Sequence, residues 1–202
     1  CLPVRTGKGQ WTYGLVTELL KQNHHLILIT DTELPSVWVT SSLVTKKQFS
    51  KGFAWHFSTG LYLLKHRSST TFLAPLSFII PAFLGHFVQT IVVVHDLIAF
   101  RDEPHQAKAK FMERMLLRPA ASSAFLICTI SESTKHDLLM CFPNLRKKNI
   151  TTIYAGPAKI FSPRIEREQK TIVCIGTLSP RKNQLKLLQA FAQLPRDVQE
   201  SH

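Results

Sequence analysis

Three short stretches carry residue types suited to an anionic, hydroxyl-bearing ligand. In TIVCIGTLSPRKNQLKLLQAFAQL, residues 171–194, an apolar run passes through a turn holding Arg181 and Lys182 into an amphipathic helical pattern. Unsatisfied backbone N–H groups and the dipole at a helix start favour negative charge. A point-charge lysine and a planar guanidinium beside them therefore suit phosphate or diphosphate. The same two cations fit a solvated surface equally well, and the motif alone does not separate the readings.

His95-Asp96 closes the β-branched run IVVV, at the strand end where a parallel α/β sheet opens its ligand crevice. A histidine there can donate a hydrogen bond to a sugar hydroxyl or assist proton transfer; tied to nearby backbone, it is structural instead. Gly7-Lys8-Gly9 precedes a helical pattern and reads as a loop, either an ordinary one or one whose backbone approaches an anion closely. Other chemistry is sparse. Asp31-Thr32-Glu33 and Asp102-Glu103 lack metal-ligand spacing, and the adjacent His24-His25 point apart. Ser131 and Ser133 lack the GxSxG elbow of an α/β-hydrolase. No metal site is expected.

The elements that must position these groups alternate. WTYGLVTELLKQ places Trp11, Leu15, Leu19 and Leu20 on one helical stripe, and the strand HLILIT follows. SVWVT and FAWHF are weak strand candidates, whereas LYLLKH reads as helical. Residues 72–94 carry no formal charge over a length that could cross about 30 Å of hydrocarbon. Pro75, Pro81 and Gly85 cut that run into pieces, and it ends in the buried-strand pattern TIVVV, so no membrane span is expected. A helix spans 104–122, with Pro104 near its start and Pro119 limiting its far end. Strand FLICTI, helix SESTKHDLLMCF and strand NITTIY complete the series. Ser131 is placed as an N-cap, Glu132 and Asp137 as favourable early charges, and Gly156 as a turn.

This alternation predicts an α/β fold with a Rossmann-like, doubly wound parallel sheet. Residues 1–155 form the first domain. Residues 156–170, GPAKIFSPRIEREQK, read as a linker, and residues 171–202 as the first βα unit of a second Rossmann-like domain.

Composition narrows the partners. At 202 residues and 45% hydrophobic, the chain can bury a full core and is not a disordered tail. Its formal net charge of +12 favours anionic partners. The basic residues are scattered without an aromatic stacking platform, so nucleic acid is not the expected one. Cys1, Cys128, Cys141 and Cys174 show no CxxC spacing. Cys128 and Cys174 sit in apolar, strand-like runs and read as reduced core thiols of a cytoplasmic protein. The sequon Asn149-Ile150-Thr151 is then a chance occurrence.

Taken in order, TGKGQWTYGLVTELL, TIVVVHDL, TISESTKHDL, IYAGPAKIFSP and TIVCIGTLSPRKNQLKLLQAF resemble the retaining GT-B glycosyltransferases of the large group 1 family, especially bacterial mannosyltransferase-like members. The resemblance spans most of the chain. It implies two Rossmann-like domains facing across a cleft, the first binding mainly acceptor and the second a nucleotide-sugar donor. By this resemblance His95 contacts the transferred sugar, Gly9 belongs to the glycine-rich loop near the donor phosphates, and Lys182, preceded by Arg181, holds the diphosphate. The implied reaction transfers a sugar with retention, mannose from a donor such as GDP-mannose being the first expectation, without metal or other cofactor. The implied acceptor is a glycan or lipid-linked, at the cytoplasmic face, with peripheral contact to an anionic membrane. Three departures stand out. Thr177 follows Gly176 where many relatives carry arginine, the acidic E-x7-E element would lie beyond His202, and a first, central strand would lie before Cys1. An excerpt or truncated product of a longer enzyme is therefore expected. A noncatalytic remnant that binds an anionic ligand, a membrane surface or a protein, and a basic nucleic-acid-binding module, are the rival readings.

Overall fold

A computed structural model describes residues 7–100, 107–156, 172–176 and 178–200. Cys1, Pro104, the pair Asp102-Glu103, Thr177 and all of the expected linker except Gly156 lie outside the described residues.

Helix and strand alternate from the start: α1 (Gly7–Lys21), β1 (Leu26–Thr30), α2 (Ser36–Val39), β2 (Val44–Gln48), α3 (Phe53–Lys65), β3 (Phe72–Ala74), α4 (Ile79–Leu84), β4 (Thr90–Val94), α5 (Ala107–Ser123), β5 (Leu126–Thr129), α6 (Glu132–Cys141) and β6 (Ile150–Thr152). Two further helices, α7 (Gln184–Ala192) and α8 (Arg196–Glu200), follow. Every strand pairing is parallel, as it must be when a helix crosses over between neighbours. The strands form two sheets, β1-β2 and β3-β4-β5-β6, so the α/β expectation holds as two parallel sheets. Register then sets the site: Val94 lies opposite Thr129, and Thr129 opposite Thr152. The segments leaving β4, β5 and β6 emerge together at the carboxyl edge.

The main core joins Val92 and Val94 of β4, Ile127 of β5, Leu138 of α6, the small residues Ala120 and Ala121 of α5, and Ala124 just after it. Small residues bring α5 onto α4 at contact distance. A Cβ at Gly85 would collide with Ser123 and with the Pro81 carbonyl, to which the Ser123 hydroxyl donates at 2.8 Å. This anchoring carries the helix through Pro119 to Ser123, one residue past the end expected at 122. The proline is exposed, so water can satisfy the carbonyl its missing N–H leaves open, and the buried alanines carry the helix to Ser123.

Several other expectations change. SVWV forms a helical turn after Pro35 that swings Trp38 into a stack on Tyr13, ring centroids 5.0 Å apart. FAWHF is the first part of α3, not a strand: its aromatics imitate a strand composition, but α3 buries Thr59, Gly60 and Leu63 at helical spacing. LYLLKH is helical through Lys65, as its pattern indicates. The strand VTKKQ has no counterpart in the sequence reading, because two lysines interrupt any apolar pattern. As an edge strand it tolerates them: Lys46 pairs with Glu33 at 3.0 Å, and the Lys47 ammonium sits 5.8 Å from the Tyr62 ring centre. The uncharged run 72–94 becomes β3, the short α4 and β4; no helix among the described residues is long and apolar enough to cross a membrane.

The unit after the linker departs most. Residues 172–175 are exposed and form no strand, since a parallel strand depends on ladder bonds to neighbours and none pairs with it among the described residues. Cys174 is exposed there, not a core thiol. Helix α7 forms where expected.

Candidate functional site

Buried β4 delivers His95 to the carboxyl edge, where the residue is only 8% exposed. Its Nε2 lies 2.9 Å from the Pro75 carbonyl oxygen. A carbonyl can only accept, so Nε2 carries the proton and the lone pair resides on Nδ1. Burial holds the imidazole pKa below its usual value; the Pro75 carbonyl pulls it up, Lys8 pushes it further down, and Asp96 raises it. The ring is accordingly neutral at pH 7. The rings of Trp11 and His95 meet edge-on, centroids 5.2 Å apart and planes at 86°. The His95 carbonyl accepts from the Thr134 hydroxyl at 3.3 Å, tying this turn to the start of α6. There Ser131 accepts the Thr134 N–H at 3.0 Å as the sequence leads one to expect.

Asp96 faces the other way chemically. One carboxylate oxygen accepts the Ile98 N–H at 3.3 Å, and the other lies 3.5 Å from the Lys8 ammonium. Lys8, Ser77, His95, Asp96 and Glu113 line one cavity of about 230 Å³, floored by Val93 and walled by Met112. One cation, two carboxylates, a hydroxyl and a neutral imidazole acceptor thus converge on a space large enough for a single sugar-sized ring. The imidazole is tied to backbone at Pro75, the feature of the structural reading, and with its single proton committed there it keeps Nδ1 as an acceptor rather than a donor for a ligand.

The other candidates sit elsewhere. Gly9 is not in a loop. It lies in the first turn of α1, which begins at Gly7, and contacts on two sides hold the helix in place, Trp11 against His95 and Tyr13 against Trp38. Gly9 lines a second, larger and mostly apolar cavity of about 630 Å³ between β1 and β3. The neighbouring Lys8, not Gly9, reaches the His95 cavity. Sequence reasoning had Lys8 in view as part of GKG but no signal that it would meet Asp96, which is brought to it only by the fold.

Lys182 ends a 3-10 turn, Pro180–Lys182, and Asn183, in the left-handed region at φ 57°, redirects the chain into α7. The Lys182 side chain is exposed, with its methylenes beside Gly176, and it does not line the His95 cavity. The Arg181 backbone belongs to the same turn; its side chain lies outside the described residues. Cys128 is buried in β5, and burial pushes its thiol pKa up, away from nucleophilic use. Among the described residues no cluster of His, Cys, Asp and Glu could hold a metal ion. No family model, curated protein or solved structure matches this chain.

Proposed function

We propose that the chain is the acceptor-side part of a retaining glycosyltransferase, with mannose from a nucleotide-diphosphate donor as the first candidate sugar and a glycan or lipid-linked hydroxyl as acceptor. The observation that carries this reading is the state of His95: a neutral ring, held on Nε2 by Pro75 and by a perpendicular contact with the Trp11 ring, at the carboxyl edge where α/β sheets bind ligands. A ring so fixed loses little freedom when it binds, and its Nδ1 accepts a hydrogen bond from a sugar hydroxyl, orienting the transferred ring. Lys8 supplies a positive charge within the same cavity. Lys182 and Arg181 would oppose the charge that grows on the departing diphosphate once the donor-side unit closes over it. His95→Ala should lower transfer from the nucleotide sugar by about 100-fold or more in the longest native form of the protein. Unchanged kcat/KM would sink the assignment.

One observation favours the rival, noncatalytic reading. Residues 172–175 form no strand and Lys182 does not line the His95 cavity, so among the described residues the two halves of the proposed site are not brought together. Incubation of the longest native form with a nucleotide sugar and acceptor separates the readings: diphosphate binding that Lys182→Ala abolishes, with no sugar transferred or released, supports an anion-binding remnant.

A further inference from the structure

Strand β1, LILIT, is as apolar as β4, TIVVV, yet none of its residues is buried, whereas all of β4 but Ile91 is. The difference is neighbours. β4 has a strand on each side, while β1 pairs only with β2 and β3 only with β4, so each keeps one unpaired edge. Every residue of β1 and of β3 lines the apolar cavity of about 630 Å³. Successive side chains of a strand point to opposite faces, so a cavity that touches all of them runs along the strand's edge. Leu15 and Leu19 of α1 and Leu63 of α3 complete its walls.

A sheet edge left in water is normally guarded by charge or proline. Lys46 and Lys47 guard β2 in this way, but LILIT and FLA carry neither. The indole N–H groups of Trp38 and Trp55, two further residues of the cavity wall, are buried without an acceptor among the described residues, and a buried indole N–H ordinarily has one. The slot thus calls for apolar side chains and for backbone donors and acceptors together. A hydrocarbon supplies only the first; an extended peptide supplies both. The chain itself carries a suitable one. Residues 172–176, IVCIG, are uncharged and join no sheet among the described residues, with Ile172, Val173 and Ile175 54%, 71% and 89% exposed.

We infer that the 172–176 run of one copy of the chain enters the slot between β1 and β3 of a second copy as an added strand. Within one copy the run and the slot stand open at the same time, so the partner of each is the other copy's. Alternation sends Ile172 and Cys174 to one face and Val173 and Ile175 to the other, the two-sided apolar character of a strand covered on both faces. Exchange in both directions closes as a dimer. The inference concerns assembly and does not rest on sugar transfer.

The test is sedimentation velocity of the 202-residue chain over a concentration series. A dimer should grow in with concentration. Val173→Asp with Ile175→Asp changes only exposed side chains, so native helix content by circular dichroism should be kept while association weakens by about 100-fold or more, because a carboxylate in an apolar slot is left unpaired. A short bis-maleimide reagent locates the contact. In a chain carrying Cys1→Ser, Cys141→Ser and Leu28→Cys, it should link position 28 of one copy to Cys174 of another, and further Cys174→Ser should abolish the link. Three results would overturn the inference: a monomer at every concentration, unchanged association of the folded aspartate variant, or a link from position 28 to Cys174 formed only within monomers. The last would assign the slot to the chain's own run.

Discussion

Two regions share one local grammar and reach different ends. Around β5 an apolar run leads through a polar turn at Ser131 into α6; around residues 172–192 an apolar run leads through Arg181 and Lys182 into α7. In the first, Ile127, Cys128 and Thr129 are buried, and Leu138 of the helix is fully enclosed. In the second, Ile172, Val173 and Ile175 are exposed and so are Leu185 and Leu188. The helix forms in both places and the strand in only one. Helix hydrogen bonds close within four residues of each other, so a helix can be specified locally. A strand satisfies its backbone only against neighbours, and β5 has β4 and β6 on its two sides.

The largest effect should come from testing the two helices against each other. Leu138→Ala removes a fully buried side chain from the main core and should cost about 2–5 kcal/mol in urea unfolding. Leu188→Ala, on the exposed face of α7, should change stability by no more than about 0.5 kcal/mol. Equal losses would mean that α7 shares the core of the four-stranded sheet, and the comparison would fail.

The turns offer a smaller contrast. Ser131→Ala deletes the acceptor of the Thr134 N–H and should cost about 1 kcal/mol. Asn183 makes no such side-chain cap and adopts a left-handed backbone, so Asn183→Gly should alter stability by under about 0.5 kcal/mol. A substantial loss at Asn183 in thermal unfolding would reveal a role for its side chain that the turn geometry does not call for.

The smallest effect is a pH dependence set by His95, after β4, and His56, in α3. Burial lowers the pKa of His95 and, against the pull of Asp31, of His56. Above about pH 6.5, the unfolded histidine value, both states are neutral and nothing is lost. As pH falls below it the unfolded chain takes up protons that the folded chain resists, so stability declines until the folded groups also titrate. Urea midpoints at pH 7, 6 and 5 should therefore fall in that order, and His95→Gln should flatten part of the slope. A slope identical in the variant would show that burial does not hold the His95 pKa below its ordinary value.

Much of this contrast was legible beforehand, for reasons of range. TIVVV, FLICTI and the Ser131 cap could be read because each depends on residues a few positions apart. FAWHF misled because aromatic composition suits both strand and helix, and the deciding contacts of Thr59, Gly60 and Leu63 lie on other elements. VTKKQ was invisible because an edge strand needs no apolar alternation. TIVCIG was read as a strand by composition, but no neighbour pairs with it among the described residues.

By itself the sequence determined the order and type of most elements, the placement of His95 at a strand end and the cationic turn at Arg181 and Lys182, since periodicity, capping and apolar runs act over a turn or two of chain. Only the tertiary structure decided which His95 nitrogen keeps its proton, that Lys8 rather than Gly9 enters the cavity, and that Asp96 lies within reach of Lys8. Those facts depend on Pro75, Trp11 and α1 arriving from distant segments, and hydrogen bonds and charges act on the partners that packing supplies, whatever their distance along the chain.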